Sequence, residues 1–212
     1  IINIPGLSEY FLLANDDTFF GREIGPDFFV DDRGRIKVWF GITNCSMLRK
    51  DSYTQNIFYC TKLIKSLFGR NFSIMTPCHN IAMYNKKHMR EFLTNPIADL
   101  HYQKTLRKRF RGLYELQMWA FTLYDIVGRR VTLHRQRSPK PRKRFIYNFF
   151  FGLTGIFHRA PMYSTNAIES KIMKHRPPLF CLNDIDSSTE KDRADNKRFM
   201  EEFLPEKCEF EK

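Results

Sequence analysis

Cysteine is scarce and scattered in this 212-residue chain: Cys45, Cys60, Cys78, Cys181 and Cys208, an odd number with no Cys-x-x-Cys pair. Such spacing argues against both a zinc site and a disulfide framework, and predicts a reducing compartment. No signal peptide is visible, and the longest apolar run, Phe145 to Phe157, falls short of the roughly 18–20 residues that a membrane span needs. Internal repeats are absent as well. The chain opens without methionine, at "IINIPGLSEYF" in the approach to a strand, and therefore reads as N-terminally truncated. Acidic residues are nearly missing from one region: Lys104–Arg144 holds thirteen Lys and Arg against Glu115 and Asp125 alone.

What is present suits a globular protein: 42% hydrophobic and 15% aromatic residues, enough for one sizeable domain with a real core. The net charge is +12 and the pI about 9.6, so an anionic partner is expected, whether nucleic acid, acidic lipid or a phosphorylated substrate. Tyr10–Ala14 reads as a short strand and Arg35–Phe40 as a second, after a turn at Asp32-Arg33-Gly34. Apolar residues at Ile57, Cys60, Leu63, Ile64, Leu67 and Phe68 predict a helix over Ser52–Phe68 closed by Gly69. A short strand broken by Pro77 follows, then a helix over Lys86–Leu93. A third helix is expected from Leu113 to Val127, capped by Gly128. Arg135–Arg144 is a proline-punctuated basic loop, and Phe145–Phe151 a strand. Helices over Asn166–Lys174 and Ser187–Phe203 flank a strand at Leu179–Leu182, with Ser188 or Thr189 as the last helix's cap. Strands alternating with helices argue for an α/β layered domain, taken as one unit over 1–212 with a basic and aromatic insertion at 135–165.

Chemistry has four candidate seats. "YFLLANDDTFFG" places Asn15, Asp16 and Asp17 at the end of a strand, where open α/β sheets bind ligands. Alone, the tripeptide reads first as an Asx-turn, and second as oxygen ligands for a hard divalent cation. His79 is either a packed histidine or a general base. Arg107–Arg111 is either a solvated helix start or a grip on an anion, since cations at a helix N-terminus oppose its dipole. In "LFCLNDIDSS" a second strand runs into Asn183-Asp184, so two strand ends of the same kind could share one sheet.

Taken together, "IPGLSEYFLLANDDTFFG", "RKRFRGLYELQMWAF" and "PPLFCLNDIDSSTEKDRADNKRFMEEFLPEKCEFEK" resemble the Stealth family of sugar-phosphate transferases, in the order of its second, third and fourth blocks. The resemblance implies a Rossmann-like or GT-A-like nucleotide-sugar transferase. Such an enzyme moves a sugar 1-phosphate from a donor like UDP-GlcNAc to an acceptor hydroxyl in capsular or surface polysaccharide. It also implies Mg2+ or Mn2+ at Asp16 and Asp17, donor contacts from Asn15, Asp16, Asn183 and Asp184, and catalysis by His79, Arg111 and Asp17. Glu115 stands where the family usually has aspartate, and Ala82-Met83 with Lys86 where it has Pro-Met and a lysine. The first block, which helps hold the nucleotide, is absent. The expected setting is cytoplasmic, peripheral at the inner membrane face, with residues 135–150 on anionic lipid; nucleic acid is the less favoured partner. A lipid- or nucleic-acid-binding module and an inactive remnant are the competing readings.

Overall fold

The computed structural model describes residues 1–42, 52–71, 74–78, 80–108, 112–135, 156–158, 165–182 and 189–206. They gather into two compact units. The first contains β1 (Tyr10–Leu13), β3 (Ile36–Ile42), α1 (Ser52–Phe68), β4 (Met75–Pro77), β5 (Ala82–Asn85), α2 (Lys86–Leu93), α3 (Pro96–Leu106), α4 (Trp119–Val127) and β6 (Val131–Arg135). The second contains β2 (Thr18–Phe20), β7 (Ile156–His158), α5 (Thr165–His175), β8 (Leu179–Cys181) and α6 (Glu190–Phe203). Mixed helices and small sheets make this an α/β protein. Among the described residues the strands form three small sheets, and no Rossmann-type layering is evident.

In the first unit β3 is central, antiparallel to β4 and parallel to β6. Its alternate residues Ile36, Val38 and Phe40 are buried, as the period of two in a strand requires. They join Ile57, Cys60 and Ile64 of α1, Met89 and Phe92 of α2, and Trp119, Ala120 and Leu123 of α4 in one core. The turn before β3 is set by Asp31, whose carboxylate accepts from the Arg33 and Arg35 amides at 3.0 and 2.8 Å and from the Thr132 hydroxyl at 2.5 Å. The Thr132 hydroxyl and these arginine donors hold that carboxyl well below the usual range. Gly34 supplies the turn's left-handed residue at φ 72°.

Helix α1 ends at Gly69, φ 58°, as the apolar spacing predicts. Helix α2 starts where Asn85 accepts from the His88 amide at 2.9 Å. The Lys86 ammonium donates to the Leu7 carbonyl, so this lysine ties down the N-terminal segment. The third expected helix is corrected: α4 begins at Trp119, because Tyr114 has φ 61° and residues 112–118 form a bonded loop. Gly128 is right-handed at φ −72°, and Arg129 takes the left-handed position at φ 56°. Helix α3, β2, β6 and β7 went unread, although Asn95 capping a helix with Pro96 in its first turn is a legible start signal. The Arg135–Arg144 loop is corrected at one end, since Arg135 closes β6. Residues 136–144 and the expected strand at 145–151 lie outside the described residues.

In the second unit β8 pairs antiparallel with β2 and parallel with β7. All three of its residues are fully buried. Phe180 packs on Phe19, Phe199 and Phe203, with Ile172 and Leu182 completing the core. Gly21 is required by close approach: a Cβ there would lie 2.0 Å from the Pro177 carbonyl oxygen. Helix α6 opens on a capping box between Thr189 and Asp192.

Asp125 on α4 is buried, with His88 Nδ1 2.9 Å and Arg130 Nη1 3.9 Å from its carboxylate. Burial outweighs the contacts with His88 and Arg130 and pushes the carboxyl up to about 6. The folded chain therefore holds this proton more tightly than the unfolded one, so the group's contribution falls as pH rises from about 4 to about 6. Relative to wild type, Asp125→Asn should raise the stability at pH 7 relative to that at pH 4 by roughly 2–3 kcal/mol. Urea titrations at both pH values measure it, and an unchanged difference would contradict the assignment.

Candidate functional site

Asn15, Asp16 and Asp17 form the turn between β1 and β2, with Thr18 returning a hydroxyl hydrogen bond to the Asn15 carbonyl at 2.8 Å. Asn15 and Asp16 are exposed and Asp17 is half-buried. The Asp17 carbonyl accepts from the Leu182 amide at 2.8 Å, and the Cys181 thiol donates to Asp17 Oδ2 at 3.4 Å. Burial, reinforced by the Asp17 carboxylate, pushes the Cys181 thiol up, so it stays protonated as a donor.

The expectation that the two strand ends share one sheet is corrected. Strand β1 pairs with β5 in the first unit. It is β2, leaving the turn, that runs antiparallel to β8 and sets Asp17 beside Leu182. Asn183 and Asp184, the next residues of the chain, lie outside the described residues, as do His79 and Arg111. Asp16 and Asp17 carry hard carboxylate oxygens of the kind Mg2+ and Mn2+ take. Among the described residues no group of three or more His, Cys, Asp and Glu is arranged around one point.

A second constellation surrounds the loop at 112–118 in the first unit. Asn56, fully buried on α1, donates to the Gly112 carbonyl at 2.8 Å and accepts from the Glu115 amide at 2.9 Å. Buried Glu115 accepts from the Gly112 amide at 2.8 Å and pairs with Lys108 Nζ at 3.1 Å. The Leu116 amide donates to Thr105 Oγ1 at 2.9 Å, and the Gln117 amide to Cys60 Sγ at 3.4 Å. Burial pushes the Cys60 thiol up to about 11. These bonds over-determine a loop in which Tyr114, its ring 5.7 Å from that of Tyr59, sits at positive φ.

The basic run needs correcting. Arg107 and Lys108 follow the C-terminus of α3, with Arg107 as its C-cap, where positive charge favours the helix dipole. Sequence reasoning missed Asn56 and Cys181 altogether. Asn56 had a signal: it lies four residues before Cys60, on the stripe that α1 buries. The Cys181 thiol bond had none.

No family model matches the chain. A stretch of 122 residues is 26% identical to the capsular polysaccharide phosphotransferase fcs1 of Haemophilus influenzae, covering 56% of this chain and 33% of that protein. The relationship is distant. The chain spans about a third of the length of the curated relative it matches. No helix among the described residues is long and apolar enough to cross a membrane.

Removing the thiol donor leaves Asp17 Oδ2 without that bond in a half-buried position. Cys181→Ala should lower unfolding stability by about 1–2 kcal/mol. Cys181→Ser, which keeps a donor, should recover at least half of that loss in the same urea titration. Equal losses in the two variants would leave packing, and not the bond to Asp17, as the cause.

Proposed function

We propose that the chain is the catalytic part of a sugar-phosphate transferase. It would move a sugar 1-phosphate from a nucleotide-sugar, of the UDP-GlcNAc type, to an acceptor hydroxyl in capsular or surface polysaccharide. The observation that carries this reading is the turn of Asn15, Asp16 and Asp17, anchored by Asp17 to the end of β8 just before Asn183-Asp184. The distant match to a capsular polysaccharide phosphotransferase supports it.

In this reading the overall frame is of the Rossmann-like or GT-A-like kind, and the setting is the cytoplasmic face of the membrane. Asp16 and Asp17 hold Mg2+ or Mn2+, and Asn15, Asn183 and Asp184 contact the donor. The cation neutralises diphosphate charge when bound. His79 takes the proton of the acceptor hydroxyl as that oxygen forms a bond to the sugar-bearing phosphorus. The bond from this phosphorus to the bridging oxygen breaks, and the nucleoside monophosphate leaves with the electron pair. Arg111 neutralises charge on the transferred phosphoryl group, whose transfer depends on positioning and charge stabilisation more than on covalent help.

The full-length protein, given a panel of nucleotide-sugars, an acceptor glycan and Mg2+ or Mn2+, should release nucleoside monophosphate. His79→Ala should lower kcat by about 10²–10⁴ while donor binding remains measurable. Asp17→Asn should remove Mn2+ binding, followed by isothermal titration. Wild-type protein that binds no nucleotide-sugar and releases no monophosphate from any donor would overturn the reading.

A further inference from the structure

Cys181 is fully buried on β8, yet it is not among the residues that build the hydrophobic core of its unit. That core takes Phe180 and Leu182 from this stretch, the two residues that alternate onto one face. Leu179 and Cys181 alternate onto the other. A buried cysteine is ordinarily a small apolar filler. This one directs its proton at a carboxylate: Sγ donates to Asp17 Oδ2 at 3.4 Å, across 164 positions of sequence. Thr18 stands opposite Cys181 in the antiparallel ladder, so the bond reaches past it to the residue just before β2.

Asp17 is therefore held at two levels by consecutive residues of one chain segment. The Leu182 amide fixes its carbonyl at 2.8 Å, and the Cys181 thiol fixes its side chain. The turn before it is closed separately, by the Thr18 amide and hydroxyl on the Asn15 carbonyl at 3.2 and 2.8 Å. Strand β8 is paired on both edges, so the anchor itself is fixed. A carboxylate oriented before a ligand arrives has no rotamer freedom left to lose on binding. A thiol suits that task because it is neutral. It orients the carboxylate without cancelling its charge, whereas Lys108 neutralises Glu115 in the first unit.

We propose that Cys181 is a positioning residue for cation binding: its thiol presets the Asp17 carboxylate that takes Mg2+ or Mn2+. The inference rests on the assignment of the cation to Asp16 and Asp17 in the transferase reading. Carboxylates that ligate metals are themselves hydrogen-bonded, and loss of such a partner weakens metal binding by about 10–100-fold.

Isothermal titration of the full chain with Mn2+ alone, well below each variant's melting temperature, tests it without recourse to turnover. Cys181→Val fills nearly the same space and has no donor; it should bind Mn2+ about 10–100-fold more weakly than wild type. Cys181→Ser keeps a donor and should stay within about threefold of wild type. A merely structural cysteine would show the reverse order, since valine suits a buried strand better than serine does. If the valine variant does not fold, Cys181→Ala takes its place in the comparison. Wild-type affinity in the donor-free variant, with Mn2+ binding still lost in Asp17→Asn, overturns this inference and leaves the cation assignment standing. Equal weakening by serine and valine also overturns it. Wild-type protein that binds no Mn2+, or Asp17→Asn that binds it like wild type, removes the cation assignment and this inference together.

Discussion

The hydrogen bond from the Leu182 amide to the Asp17 carbonyl extends the β2–β8 ladder by one residue beyond both strands. Everything proposed for the acidic turn depends on it. Strand β8 is fully buried and held on both edges, so its end is among the best-fixed points of the second unit. Asp17 inherits that rigidity through its backbone, and the Cys181 thiol fixes its carboxylate as well. Adjacent carboxylates are poor candidates for burial without a partner. Here the exposed Asp16 stays in water, while the half-buried Asp17 has a donor from the neighbouring strand.

A different solution orders the loop after the basic run. Backbone groups of a non-repetitive segment need partners when they are taken from water, and the usual answer is to keep such a segment outside. The first unit instead supplies side chains from two helices: Asn56 and Cys60 from α1, Thr105 from α3. Asn56 bridges an amide and a carbonyl three residues apart, so one fully buried side chain meets two backbone groups that no ladder reaches. Truncating it would leave both unsatisfied inside the protein, which costs more than the bonds contribute. A tyrosine at φ 61° persists because so many bonds fix the loop around it.

Elements whose burial follows from local pattern were legible. The stripe of Ile57, Cys60, Leu63 and Ile64 marked α1 to its ends, and Thr189 and Gly69 marked helix boundaries by the geometry their side chains or backbone favour. Helix α3 failed that reading for a physical reason. Of its inward positions only Ala98 and Tyr102 pack on the core, and Ile97 and Leu100 face outward, so its apolar residues form no single stripe. Strands of three residues, such as β2 and β7, carry too little alternation to announce themselves, and only pairing with β8 defines them. At the acidic turn the residues were legible as candidates. Their anchoring was not, because an antiparallel register between residues 18–20 and 179–181 is a long-range fact.

Glu115 shows how such long-range facts bear on function. By resemblance the position is an aspartate, which invites a catalytic or metal-binding role. In this chain one carboxylate oxygen, Oε1, accepts from the Gly112 amide and pairs with Lys108, and the side chain is buried. Glutamate's extra methylene lets the carboxylate fold back three residues onto its own loop while meeting a cation four residues further upstream. That posture lets a single anion meet both Lys108 and Gly112. A carboxylate so engaged, inside the fold and neutralised by its own lysine, is a structural counter-charge for a basic loop. The hard oxygens free to face a cation are then to be sought at the exposed acidic turn of Asp16 and not at Glu115.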